Sequence, residues 1–130
     1  MSYILLAEDD RSLQFLVQRK LETEGYAVRS TVDGTEALAL ALNDRPALLL
    51  LDIGLPGATG FDVCRAVKQH YGTDAPPILI ISTNGQESDV EAAEGVGADD
   101  YLIKPFSLRD LAERVRVFLN GAQPRQSYSM

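Results

Sequence analysis

The sequence predicts an α/β domain in which a parallel sheet is covered by helices on both faces. Three observations lead there. Short apolar runs without alternation, Tyr3–Ala7, Leu48–Leu51 and Ile78–Ile81, read as strands buried on both sides. Segments with apolar residues at helical spacing lie between the runs, giving five strand-helix pairs in strict alternation. The runs also end in polar groups and turns, most clearly where the leucines meet Asp52 and the glycine- and proline-rich stretch Gly54–Gly60. Ligands of open α/β sheets bind at the carboxyl ends of strands, so that edge is where chemistry is expected.

Taken in order, Tyr3–Ala7 is the first strand. The first helix has Asp10 or Ser12 as its cap and Leu13, Leu16, Val17 and Leu21 on one face. Gly25 stops it. Tyr26–Ser30 is half polar and alternates, as an exposed edge strand does. Asp33 to Glu36 is a turn with a capping-box-like helix start, followed by Ala37, Leu38, Ala41 and Leu42. After the central strand, Thr59 and Asp62 have the spacing of a start signal for a helix bearing Phe61, Cys64 and Val67, which runs out at Tyr71 and Gly72. Pro76 and Pro77 open the strand Ile78–Ile81, which leads into Ser82. The next segment, Glu87–Val96, has only Val90, Ala93 and Val96 as a thin stripe and is expected to be the loosest helix. Tyr101–Ile103 is a brief fifth strand. Ser107 with Asp110 starts a last helix whose face, Leu108, Leu111, Ala112, Val115, Phe118 and Leu119, is the best formed in the chain. Residues 1–120 are expected to form one domain, and 121–130, polar and proline-containing, a flexible tail.

Composition narrows the function. With 130 residues, 45% hydrophobic and 24% charged, the chain is sized for one soluble domain. It carries 19 acidic residues against 12 Lys plus Arg, a net charge of -7, with no basic cluster. That argues against direct nucleic-acid binding, which leans on clustered Lys and Arg. The single cysteine excludes an internal disulfide and fits a reducing compartment. No apolar run reaches the ~18 residues of a membrane span, and the N-terminus does not read as a signal peptide. A cytoplasmic location without membrane insertion is expected.

Four strand ends deliver chemical groups: Glu8 and Asp9, Asp52, Ser82, and Lys104. The acidic residues and Lys104 have ordinary readings by themselves, as a helix cap and a surface lysine; the joint arrangement is what calls for a function. Like charges crowded on one rim suit a hard divalent cation, which takes oxygen ligands and commonly only one or two carboxylates. Asp9 and Asp52 can supply that pair, with Glu8 acting through water and the Gly54 carbonyl close by. Lys104 can neutralise phosphate oxygens and Ser82 can hydrogen-bond to another. These are parts of a phosphoryl-transfer site, with a carboxylate as nucleophile. One His and one Cys make zinc improbable.

From Tyr3 to about Asn120 the chain resembles a response-regulator receiver domain of two-component signalling, close to the chemotaxis regulators. The resemblance is carried by the blocks Ile4–Asp10, Asp33–Leu38, Asp52–Phe61, Pro77–Ser82, Gly97–Tyr101 and Lys104–Phe106, in this order and spacing. It implies a flavodoxin-like three-layer fold with five strands in the order 2-1-3-4-5 and five helices. It also implies that Asp52 is the phosphoacceptor and that Glu8, Asp9, Asp52 and the Gly54 backbone carbonyl hold Mg²⁺, with Mn²⁺ as a substitute. Lys104 would contact the phosphoryl group, and Lys104-Pro105 would match the family's cis peptide. Ser82 and Tyr101 would be the hydroxyl and aromatic switch residues, with Asp10 in a supporting role.

The resemblance further implies a switch that takes its phosphoryl group from a sensor histidine kinase or a histidine phosphotransfer protein. Its chemistry would be its own phosphorylation and dephosphorylation rather than turnover of a substrate. The output would be a face of the fourth helix, fifth strand and fifth helix, offered to a downstream protein or to a second copy of the chain. Two places depart from the commonest pattern, Gly54 and Asn84, and both bear on how water reaches an acyl phosphate. Two other classes stand beside this reading. A Mg²⁺-dependent phosphatase is disfavoured by short loops and the lack of a second acid or base. A receiver that has lost its chemistry and serves only to bind protein is disfavoured by the intact set Glu8, Asp9, Asp52, Ser82 and Lys104.

Overall fold

The computed structural model describes residues 2–83 and 87–120; Asn84 and the tail at 121–130 lie outside the described residues. The strands are β1 (Ile4–Ala7), β2 (Val28–Thr31), β3 (Leu48–Asp52), β4 (Ile78–Ser82) and β5 (Asp100–Ile103). The helices are α1 (Arg11–Thr23), α2 (Gly34–Asn43), α3 (Gly60–Tyr71), α4 (Glu87–Gly95) and α5 (Leu108–Leu119), with a 3₁₀ turn at Gly72–Asp74. The five strands form one parallel sheet in the order β2-β1-β3-β4-β5. This is the expected doubly wound arrangement, with β2 at an edge.

Strand geometry explains why the leucine run works. Alternate residues point to opposite faces, and both faces are covered. Leu5, Leu49, Leu51, Ile78 and Ile80 pack with Ala37, Ala41, Val63, Cys64 and Val67 of α2 and α3. Ile4, Leu6, Leu48, Leu50, Leu79 and Ile81 pack with Val17, Leu21, Leu111 and Val115 of α1 and α5. Each fully buried side chain of this size stabilises the fold by about 1.5–3 kcal/mol relative to exposure. The sheet is therefore the rigid plate to which the carboxyl-end groups are fixed.

Helix starts follow the sequence signals. Asp10 caps α1, its carboxylate accepting the N–H groups of Ser12 and Leu13 at 3.0 and 3.2 Å. Thr59 and Asp62 form a reciprocal capping box at α3, both bonds 3.1 Å. Ser107 accepts the Asp110 N–H at the start of α5. Gly25 adopts φ +100° where α1 ends, a conformation that glycine takes without steric cost.

Two expectations are corrected. Leu16 is 49% exposed rather than on the packed face of α1, since Leu13, Val17 and Leu21 already fill the stripe toward the sheet. The second strand starts at Val28, because Tyr26 still belongs to the end of α1, donating its N–H to Leu21 O. α4 is a helix, and Ala93 is its one buried residue among those whose side chains are described, in keeping with its thin stripe.

Candidate functional site

Register sets the site. Ala7 pairs with Leu51, so Glu8 comes level with Asp52, and Asp52 in turn pairs with Ile81, one residue before Ser82. Ser82 pairs with Ile103, and the Lys104 N–H donates to Ser82 O at 2.7 Å. Residues far apart in the chain thus end on one rim because their strands stop together. Carboxylate oxygens of Glu8, Asp9 and Asp52 lie within 4.8 Å of one another. Glu8 and Asp52 are buried, at 1% and 7% exposure, while Asp9 is exposed.

The Lys104 ammonium bridges the two buried acids, 2.9 Å from Glu8 Oε1 and 3.0 Å from Asp52 Oδ2. Asp52 Oδ1 accepts the Gly54 N–H at 3.1 Å, and Glu8 Oε2 accepts the Asp10 N–H at 3.0 Å. α3 starts hard against this strand end: the Gly60 N–H donates to Ile53 O, and a Cβ on Gly60 would come 2.5 Å from Asp52 O.

The two acids titrate apart. Burial pushes Glu8 up to about 7, and the neighbouring Asp52 adds to the rise despite Lys104 and the Asp10 N–H. For Asp52 burial also works upward, but Glu8, Lys104 and the Gly54 N–H outweigh it and hold its carboxyl below the usual range. Burial works to lower Lys104, yet its two carboxylate partners hold it above its ordinary value. Near neutral pH the site holds an ionised Asp52 and a protonated lysine, with Glu8 poised between forms.

These residues fit a hard cation. Glu8 Oε1 is buried and finds no hydrogen-bond partner among the described residues; its contact with Lys104 is close but not aligned as a hydrogen bond. One ammonium is shared by two buried carboxylates, with Asp9 beside them, so negative charge is in excess there, and the carboxylate oxygens are donors of the kind Mg²⁺ prefers.

The other expected residues fall as follows. Ser82 is buried at the end of β4, and Tyr101 is half-buried against the α2–α3 side of the core. Asp10 is occupied as the α1 cap. The Lys104-Pro105 peptide is cis. Pro105 and Lys104 line a pocket of about 360 Å³ with Asp10, Leu13, Thr83 and Phe106. Gly54 leaves its surroundings open, since an added Cβ would meet nothing nearer than Asp52 Oδ1 at 4.0 Å.

One supporting residue was not legible in the sequence. The Gln14 amide donates to both Glu8 O and Thr31 O, at 3.2 and 2.9 Å, tying the ends of β1 and β2 together. Its only signal was a polar residue beside the apolar stripe of α1, which most surface positions share.

Residues 4–116 match the family model for the response regulator receiver domain. The chain belongs to that family. This receiver domain is 39% identical over 122 residues to the phosphate regulon transcriptional regulatory protein PhoB of Rhizobium meliloti, covering 93% of the chain and 53% of the relative. It is 39% identical over 125 residues to the response regulator MprA of Mycobacterium tuberculosis, covering 95% of the chain and 53% of the relative. The chain therefore spans about half the length of the curated relatives it matches. Among solved structures, the chemotaxis protein CheY4 of Vibrio cholerae superimposes with a TM-score of 0.83 at 30% identity, over 91% of this chain and 98% of that one. The receiver domain of the sensor histidine kinase PA1611 of Pseudomonas aeruginosa, which has a magnesium ion coordinated in its active site cleft, gives 0.83 at 28% identity, over 92% and 98%.

Proposed function

We propose that this receiver domain is a Mg²⁺-dependent switch that accepts a phosphoryl group on Asp52. The observation that carries the reading is the Asp52 carboxylate itself: buried, ionised, at a strand end, and flanked by Lys104 and the Glu8–Asp9 pair. An Asp52 oxygen attacks phosphorus, the bond from phosphorus to the donor's imidazole nitrogen breaks, and the imidazole leaves with the electron pair and takes a proton from solvent. The donor class is a phosphohistidine on a sensor kinase or phosphotransfer protein. The pocket beside Lys104, with Leu13, Pro105 and Phe106 on its walls, offers an apolar seat next to the nucleophile.

Glu8, Asp9, Asp52 and the Gly54 carbonyl would hold the cation, which when bound supplies charge neutralisation at the phosphoryl oxygens. Lys104 covers the other side of Asp52 as a fixed positive charge. Ser82 stands one residue past the partner of Asp52 and can donate its hydroxyl to the product dianion. Tyr101 on β5 then has room to change position, and α4, β5 and α5 form the output face for a protein target or a second copy. Such coupling needs an element with two states that both events bias, and the thinly packed α4 suits that role.

Acetyl phosphate with Mg²⁺, read by intact mass, tests the reading. The parent is expected to gain one phosphoryl group, and Asp52→Asn none while remaining folded. Equal incorporation in Asp52→Asn, or in excess chelator, would refute it.

A further inference from the structure

The β3–α3 loop, residues 53–59, is held from a side that the phosphoryl chemistry does not touch. The first turn of any helix has N–H groups without intrahelical acceptors. In α2 those of Thr35 and Glu36 go to the Asp33 carboxylate, at 2.7 and 3.0 Å. The Gly34 N–H instead crosses to the loop and donates to Pro56 O at 2.9 Å. From the loop, the Ala58 N–H donates to Thr35 Oγ1 at 3.3 Å. The segments are so close that a Cβ on Gly34 would fall 1.6 Å from Ala58 O, and one on Gly57 2.4 Å from Thr35 Oγ1.

Gly34 is buried, opens a helix, and does not have a positive φ. Nothing in its backbone demands glycine, and helix propensity favours alanine there. The position is glycine for space alone, and the space is filled by the loop that leads from Asp52 to α3. Within that loop the Gly54 N–H is bonded to Asp52 Oδ1, so a shift of the loop reaches the nucleophile directly.

We infer that Gly34 is a positioning residue for this site: it seats the β3–α3 loop on α2 and thereby fixes the Gly54 backbone against the Asp52 carboxylate. The inference rests on the Asp52 reading proposed above. It makes the first turn of α2, which contributes no group to the chemistry, a determinant of cation affinity and of phosphoryl uptake.

Gly34→Ala, Thr35→Val and Thr35→Ser in the full chain test it. The readouts are the Mg²⁺ Kd of the unphosphorylated protein by calorimetry, the Gly54 amide shift by NMR, phosphate uptake at saturating Mg²⁺, and the metal-free Tm. Disturbing the groups that orient metal ligands costs on the order of tenfold in affinity. Gly34→Ala should therefore raise the Kd about tenfold and Thr35→Val about threefold, with the Gly54 amide moved in both. Thr35→Ser, which keeps the acceptor oxygen, should match the parent. A lowered Tm with the Kd and the Gly54 amide unchanged means a merely structural role and overturns the inference. Should Gly34→Ala fail to fold, the threonine pair decides: equal Kd values for Thr35→Val and Thr35→Ser overturn it. Failure of the Asp52 reading looks different, because then the parent itself takes up no phosphate.

Discussion

In the metal-free protein, raising the pH from about 5 to about 8 is expected to cost stability, and Glu8 is the reason. Its folded-state value of about 7 lies above the ordinary 4.5. A raised pKa contributes stability that is fully present below the unfolded value and is lost as pH rises through the folded one. At about 1.4 kcal/mol per pH unit, the rise corresponds to about 3 kcal/mol, a large share of the stability of a small domain. Asp52 has the opposite sign, since its value is depressed below the ordinary 3.8. Its contribution is lost only as pH falls through the acid range, so the two windows do not overlap. The perturbation is Glu8→Gln, which keeps the side chain's size and fixes it neutral. Urea unfolding in chelator should show the parent losing roughly 2–3 kcal/mol across the window, and the variant holding nearly level and more stable than the parent at the alkaline end. A parent with no such loss, or a variant with the same slope, would refute the reasoning. Mg²⁺ added at the alkaline end should restore the parent and leave the variant less affected.

Three further outcomes are expected. Lys104→Met removes the cation shared by Glu8 and Asp52 and should lower metal-free stability by about 3 kcal/mol, with most of the loss recovered in Mg²⁺; denaturant titrations with and without the cation check this. Thr59→Ala breaks the capping box of α3 and should cost about 1 kcal/mol, read by the thermal midpoint. Removing residues 122–130 should leave the midpoint within a few degrees, and a large drop would show that the tail packs on the body.

Legibility divided along physical lines. β3 and β4 were plain because continuous apolar runs have few other stable settings, and the caps at Thr59 and Ser107 because they are local bonds within a few residues. Leu16 misled because helical spacing marks an apolar stripe without saying how wide the sheet's demand on it is. Tyr26 misled because a β-prone residue was held by the end of a helix. Within the site, the convergence of Glu8, Asp9, Asp52 and Lys104, and a cation and phosphoryl chemistry for it, were readable from strand ends, whereas the expectation that Asp52 is the phosphoacceptor came with the resemblance to receivers. Gln14 and Gly34 were unreadable for one shared reason. What makes them matter is a partner distant in sequence, a carbonyl across the β1–β2 junction for one and a loop against α2 for the other. The block from Asp33 to Leu38 entered the resemblance as a helix start, and the structure adds what that start leans on.

Cys64, buried on α3 with its thiol donating to Val96 O and pushed by burial to about 11, has a practical consequence. It is the chain's single cysteine, and reagents that attack thiolates can reach it only when the α3 side of the sheet opens. The native protein should therefore ignore a thiol-reactive dye at neutral pH, and the slow rate at which it is labelled would measure how often that core exposes itself. Mg²⁺, phosphate or a bound partner could each be added in turn, and the change in labelling rate would report the tightening it brings without any mutation or engineered probe.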